Sequence, residues 1–443
     1  MTREYRDGLI LLLLGAAIFV LLGAASRRSS ALAVSDFRLV YNGSRCLLQH
    51  ADPYNENAYL SVLIADGGVP PSKVERPEFR ELMQYPYPPT TFLLVPFALL
   101  PPRLAELVWL TLTATGFVLA SVLMWKLGAR YSPVVSGALV GAVLASSEML
   151  LVHGNLAGIV VSLCLIAVWC FVEGRLVRVG VICLALALIL KPHDAGLVWL
   201  YFLLAGGVYR RRALGTLMVA IVLSLPAIAW VSQVAPGWSG ELRGNLAVLS
   251  ARGHADDPGP ATMSVHGIGM NLSLQSVISE VRDEPSFYNP ASYAICGALL
   301  LVWSAVTLRS RTTPERSWIA LAAVAALSLL PVYHRLYDAK LLLLAVPACA
   351  LLWREGRAVG RVALALTAAG VVLTGEFEWA MFGAAVKSLH PATADFAGRM
   401  VTGLEIYPVP LLLLALAAFY VGVYARRGLE ARRVVAETAA VER

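Results

Sequence analysis

The chain has 443 residues, 58% of them hydrophobic and 15% charged, with a net charge of +7 and a mean hydropathy of +0.69. A water-soluble domain cannot carry that much apolar sequence, and here it comes in blocks long enough to cross a bilayer. Composition therefore excludes a soluble enzyme or a nucleic-acid-binding module and predicts an all-α polytopic membrane protein.

The first block, "LILLLLGAAIFVLLGAAS" (9–26), has the length of a span and is expected to remain as the first helix rather than a cleaved leader. Beyond Asp36, apolar residues recur at Phe37, Val40, Tyr41, Leu47 and Leu48, with Arg38, Asn42, Arg45 and Gln49 between them. That period predicts an amphipathic helix in the membrane interface. Asp36 has two readings: an N-cap acceptor for this helix, or a carboxylate held at the surface as a general base. "ADPYN" (51–55) has the residues of a turn, and "YPYPP" (85–89) those of a rigid extended segment whose Tyr85 and Tyr87 suit an interfacial belt or a sugar-stacking wall. "TTFLLVPFALLPP" (90–102) is too short to span and contains Pro96, which predicts a re-entrant or interfacial helix.

Apolar runs give about twelve spans, near 8–25, 104–125, 134–151, 156–172, 177–190, 195–208, 213–233, 290–308, 317–332, 340–353, 360–376 and 405–425. The expected organisation is one transmembrane catalytic domain over 1–425, with outer loops at 26–103 and 234–289, and a basic cytoplasmic tail at 426–443. The short arginine-rich connections, with both termini, hold 20 Lys+Arg and 8 Asp+Glu, a net of +12; the other side holds 16 and 21, a net of −5. Basic connections stay in the cytoplasm, so the polar loops are expected outside. All seven histidines fall in or beside those outer loops.

Five of the six cysteines lie in apolar runs, so the sequence offers no disulfide framework and no metal motif. There is no phosphate-binding P-loop, no Gly-x-Ser-x-Gly elbow and no HExxH; no cofactor is expected. Lys191 closes an apolar run, where snorkelling alone accounts for a lysine, and His334, Arg335, Asp338 and Lys340 form the densest ionisable cluster at an outer boundary. Such cations either pair with Asp338 or, around a cavity, hold a phosphate. Without a cytoplasmic nucleotide-binding domain, a substrate activated as a lipid phosphate fits an outer-face enzyme.

In order along the chain stand Asp36-Phe37 with Tyr41 five on, "DPY" (52–54), "YPP" (87–89), "GN" (154–155), "LKP" (190–192), "NLS" (271–273) and His334. This series resembles glycosyltransferase family 87, the polyprenol-phosphate-mannose-dependent α-mannosyltransferases with the GT-C membrane fold. The family often shows Trp-x-His near the late histidine, where this chain reads "PVYHRLYD". The resemblance implies transfer of a hexose, mannose by preference, from a polyprenyl phosphate to a glycolipid or glycan hydroxyl on the outer face of a bacterial inner membrane. It implies Asp36 as the base, Lys191, His334 and Arg335 at the donor phosphate, and Tyr41, Asp52, Tyr54, Tyr87, His153, Asn155 and Asn271 around the substrates. A transporter or lipid flippase is the alternative, but the span centres carry almost no charge.

Overall fold

A computed structural model describes residues 2–29, 34–66, 88–254, 256–260, 271–310, 312–375 and 408–441, with side chains described through residue 429. Tyr85, Tyr87, His266 and His390 lie outside the described residues.

The helices in chain order are α1 (Arg3–Ser29), α2 (Ser35–Leu48), α3 (Glu56–Ala65), α4 (Pro88–Leu93), α5 (Val95–Ala98), α6 (Pro102–Gly128), α7 (Pro133–Ala145), α8 (Met149–His153), α9 (Leu156–Glu173) and α10 (Val177–Leu190). They continue with α11 (Pro192–Leu204), α12 (Gly207–Val234), α13 (Trp238–Leu249), α14 (Leu274–Val281), α15 (Pro285–Arg309) and α16 (Pro314–Leu327). A 3-10 segment (Leu336–Leu344) then leads into α17 (Ala345–Arg354), α18 (Ala358–Leu373) and α19 (Pro408–Val441). Among the described residues, helix is the regular structure throughout, apart from one isolated bridge between Asn271 and Arg335.

Among the described residues, eight helical stretches are long and apolar enough to cross a membrane, and α10 and α18 are shorter apolar helices. The expected spans near 195–208 and 317–332 are α11 and α16, of 13 and 14 residues. α16 can be short because it meets protein rather than lipid: Ile319 through Ala326 are completely buried. Enclosure also lets the backbone be irregular at Leu336–Leu344, since 3-10 geometry at membrane depth is tolerated where protein surrounds it. The outer helices do the reverse. Leu13, Leu14 and Leu21 on α1 and Leu217, Val222 and Leu225 on α12 are exposed, as a lipid-facing surface requires. α1 meets α7 through glycines: a Cβ at Gly137 or Gly141 would run into the backbone of α1 at Gly8 or Leu11. Between helices in lipid, such close backbone approach supplies the dispersion contact that hydrophobicity cannot.

The amphipathic helix in the first loop is present as α2. Phe37 stacks on Trp109 with centroids 5.1 Å apart, the Tyr41 hydroxyl donates to the Leu100 carbonyl (2.9 Å), and Arg38 pairs with buried Glu106 (2.6 Å). The 90–102 segment forms the short helices α4 and α5, which lead into α6. "ADPYN" is a turn in which the Tyr54 amide donates to Asp52 Oδ1 (2.8 Å).

Candidate active site

Helix ends that carry the predicted site residues meet at one end of the bundle. α2 starts from Val34, which occupies the left-handed region at φ 61° although it is β-branched and fully buried. This conformation costs roughly 1–3 kcal/mol. It is held by the Val34 amide donating to the Val152 carbonyl (2.6 Å). The cap position therefore belongs to Val34, which gives no side-chain cap, and Asp36 lies inside the first turn. This corrects the reading of Asp36 as the N-cap: the chain enters the helix one residue before Ser35, so the Asp36 carboxylate is free of capping work.

That carboxylate is held from the side. Ser35 Oγ donates to Oδ1 (3.0 Å) and Asn155 Nδ2 to Oδ2 (2.6 Å). Asn155 also caps α9, its Oδ1 accepting from the Ala157 amide (2.8 Å), so one side chain starts a transmembrane helix and orients the acid. Gly154 makes the turn between α8 and α9 at φ 63°; its carbonyl accepts from Trp109 Nε1 (2.8 Å). His153 Nδ1 lies 3.4 Å from Ser35 Oγ.

The second group of charges is buried. Lys191 stands between α10 and α11 with its ammonium bound to Asp338 and 3.5 Å from Asp194 Oδ2. His334 Nε2 lies 3.1 Å from Asp194 Oδ1, and the His193 ring meets the His334 ring edge-on at 4.9 Å. Asp338 Oδ2 also accepts the Arg335 amide (2.9 Å), while the Arg335 guanidinium packs on Tyr333 and donates to its hydroxyl. Lys191 Nζ stands 5.3 Å from the centre of the Tyr337 ring. Lys340 faces elsewhere: its ammonium takes the carbonyls of Ser146 (2.7 Å) and Thr374 (3.1 Å), at the C-terminal ends of α7 and α18 where a cation is favoured.

Residues 85–332 match the model of glycosyltransferase family 87. The chain belongs to glycosyltransferase family 87. No curated protein and no solved structure matches it. The family segment contains Asn155, Lys191, Asp194 and Asn271, whereas Asp36, His334 and Asp338 fall outside it. Folding brings the outside residues onto the inside ones: Asp36 onto Asn155, Asp338 onto Lys191, His334 onto Asp194.

The remaining family-suggested positions divide. Asn271 joins the lysine side, since its backbone bridges Arg335 and the Leu272 amide donates to the His334 carbonyl (2.9 Å). Asp52 and Tyr54 sit in the first-loop turn, with Tyr54 buried against Leu47, Val231 and Trp238. Burial and the Asp52 charge hold Glu241 of α13 above the usual carboxylate range there. Tyr41 is a packing residue whose hydroxyl is spent on Leu100. Asp194 and Tyr337 were not singled out from the sequence. "KPHD" puts an acid three positions after Lys191 at a helix start, the one local sign of Asp194; Tyr337 had no sign apart from the cluster around it.

Proposed function

We propose that this membrane glycosyltransferase moves a hexose, mannose by preference, from a polyprenyl phosphate to a lipid-linked or glycan hydroxyl, with inversion. The observation that carries the reading is a partly exposed Asp36 carboxylate, oriented by Asn155 and Ser35, together with a buried Lys191–His334 cluster in the same helical bundle. Asp36 takes the proton of the acceptor hydroxyl as oxygen attacks the anomeric carbon, and the phosphate leaves toward Lys191, His334 and Arg335. Glycosidases need a second carboxylic acid because their alkoxide leaves poorly. A phosphate leaves as a stable anion, so one base and a set of cations suffice.

A cavity of about 400 Å³ between α11, α15 and α16 supports a prenyl donor. Leu197, Cys296, Leu300, Leu327 and Val332 line it, and His193 stands at its polar end beside His334. This apolar lining suits a prenyl tail. The charge split of +12 against −5 supports an outer active site with both termini in the cytoplasm; on this reading the protein resides in a bacterial inner membrane, with residues 1–425 as the catalytic domain.

The test is to incubate purified protein with polyprenyl-phosphate mannose and a panel of glycolipid acceptors, following product masses. A mannose added to acceptor by the wild type, and lost by about 10²–10⁴ in turnover with Asp36→Asn, is the expected result. Flipping of labelled lipid without a new glycosidic bond would instead make the protein a transporter.

A further inference from the structure

We propose that His193, Asp194 and His334 form a binding site for a divalent transition-metal ion, Zn²⁺ by donor type. The site itself follows from side-chain geometry; the use of its charge on a donor phosphate rests on the proposed function.

His334 Nδ1 lies 2.9 Å from the Val332 carbonyl oxygen. A carbonyl only accepts, so Nδ1 carries the hydrogen and Nε2 of the neutral ring presents a lone pair. That lone pair faces Asp194 Oδ1 at 3.1 Å, with both side chains at most 1% exposed. Two lone pairs at that distance in a dry site require a positive charge between them. A proton on His334 would meet the need of these two atoms. It would leave His193 Nε2 with nothing, and that atom is buried without a hydrogen-bond partner, as are both oxygens of Asp194 by hydrogen-bond geometry. One metal ion meets all three needs, because the three ligand atoms lie within 4.8 Å of one another.

The dimensions suit a tetrahedral ion. With bonds of about 2.0–2.1 Å, neighbouring ligand atoms stand roughly 3.3 Å apart. The His334–Asp194 separation of 3.1 Å is close to this, while the 3.9 Å between His193 Nε2 and Asp194 Oδ1, and a widest separation of up to 4.8 Å among the three, have to close by rotation of the His193 ring. The outer contacts are those of a ligated histidine and carboxylate: Val332 fixes the His334 tautomer, and Lys191 braces Asp194 from its other oxygen. Two His and one Asp leave a fourth position, and His193 lines the cavity between α11, α15 and α16. Lys191 and Arg335 only balance Asp194 and Asp338, which leaves no net positive charge for a phosphodiester. A dication supplies it.

The experiment uses full-length protein purified without a polyhistidine tag, stripped with EDTA and titrated with Co²⁺ or Zn²⁺ in detergent. The wild type should take up one equivalent per chain and show the ligand-field bands of tetrahedral Co²⁺. X-ray absorption of the bound ion should show two imidazole ligands, a readout that needs no variant. His193→Ala and His334→Ala should weaken uptake at least about a hundredfold, whereas exposed His50→Ala should not. Failure of the folded wild type to take up metal overturns the site, as do fewer than two imidazoles or undiminished uptake in the alanine variants. Uptake is read without substrate, so its outcome is independent of whether mannose is transferred.

Discussion

Asn155→Asp separates the two things Asn155 does. An aspartate still accepts from the Ala157 amide, so the cap of α9 survives. It also places a carboxylate oxygen where Nδ2 now donates to Asp36 Oδ2 at 2.6 Å. Two unit charges at that distance repel by about 1.6 kcal/mol in water and about 6 kcal/mol at an effective dielectric constant of 20. Asp36 is partly exposed, so the lower end applies, equivalent to roughly one pH unit. Loss of the charge-assisted hydrogen bond adds about 1.5–3 kcal/mol, another one to two units. The sign is upward: a carboxylate beside a like charge gives up its proton only at higher pH. The rising limb of kcat/KM against pH should therefore move about two to three units toward alkaline pH, and by linkage the same interactions cost the fold about 3–4 kcal/mol once both carboxylates ionise, so stability in a thermal melt falls as the pH rises through that limb. Turnover measured across that range with polyprenyl-phosphate mannose is the assay. An unshifted limb in a folded variant would mean that the carboxylate Asn155 touches is not the base.

Lys191→Met should leave Asp194 and Asp338 as uncompensated buried charges, destabilising the protein by about 3–5 kcal/mol, and Lys191→Met combined with Asp338→Asn should regain part of that in a thermal melt without regaining donor affinity. Gly196 of α11 and Gly297 of α15 both line the cavity proposed for the donor, and a Cβ at either meets nothing within 4 Å. Gly196→Leu and Gly297→Leu should thus fill the cavity without clashing, raising KM for a long-chain prenyl donor and sparing a short-chain one; equal effects on both donors would sink the tail assignment. All six native cysteines are buried, so introduced ones report cleanly on sidedness. A cysteine at exposed Asn55 should react with an impermeant thiol reagent in intact cells, and one at exposed Arg211 only after permeabilisation; reaction of the latter from outside would reverse the orientation.

Much of the architecture was legible because membrane helices declare themselves by length and hydropathy, and the first loop because its period of apolar residues is local. The twelve expected spans each have a helix in the fold, and Ser35–Leu48 forms where Phe37, Val40 and Tyr41 predicted it. The boundary of that helix was less legible: a left-handed valine carries no compositional signal, and its amide is satisfied by Val152, far along the chain. The same limit governs the site. Sequence alone determined that Asp36, Asn155, Lys191, Asp194, His334 and Asp338 stand at helix ends, since charges are excluded from apolar runs by their cost in lipid. Which of them touch was decided only by the tertiary structure. Asp36 meets Asn155 across 119 positions and Lys191 meets Asp338 across 147. Those pairings depend on how α2, α9, α11 and the Leu336–Leu344 turn pack together, and a charge at a helix end carries no mark of its partner until that packing brings a counter-charge within reach.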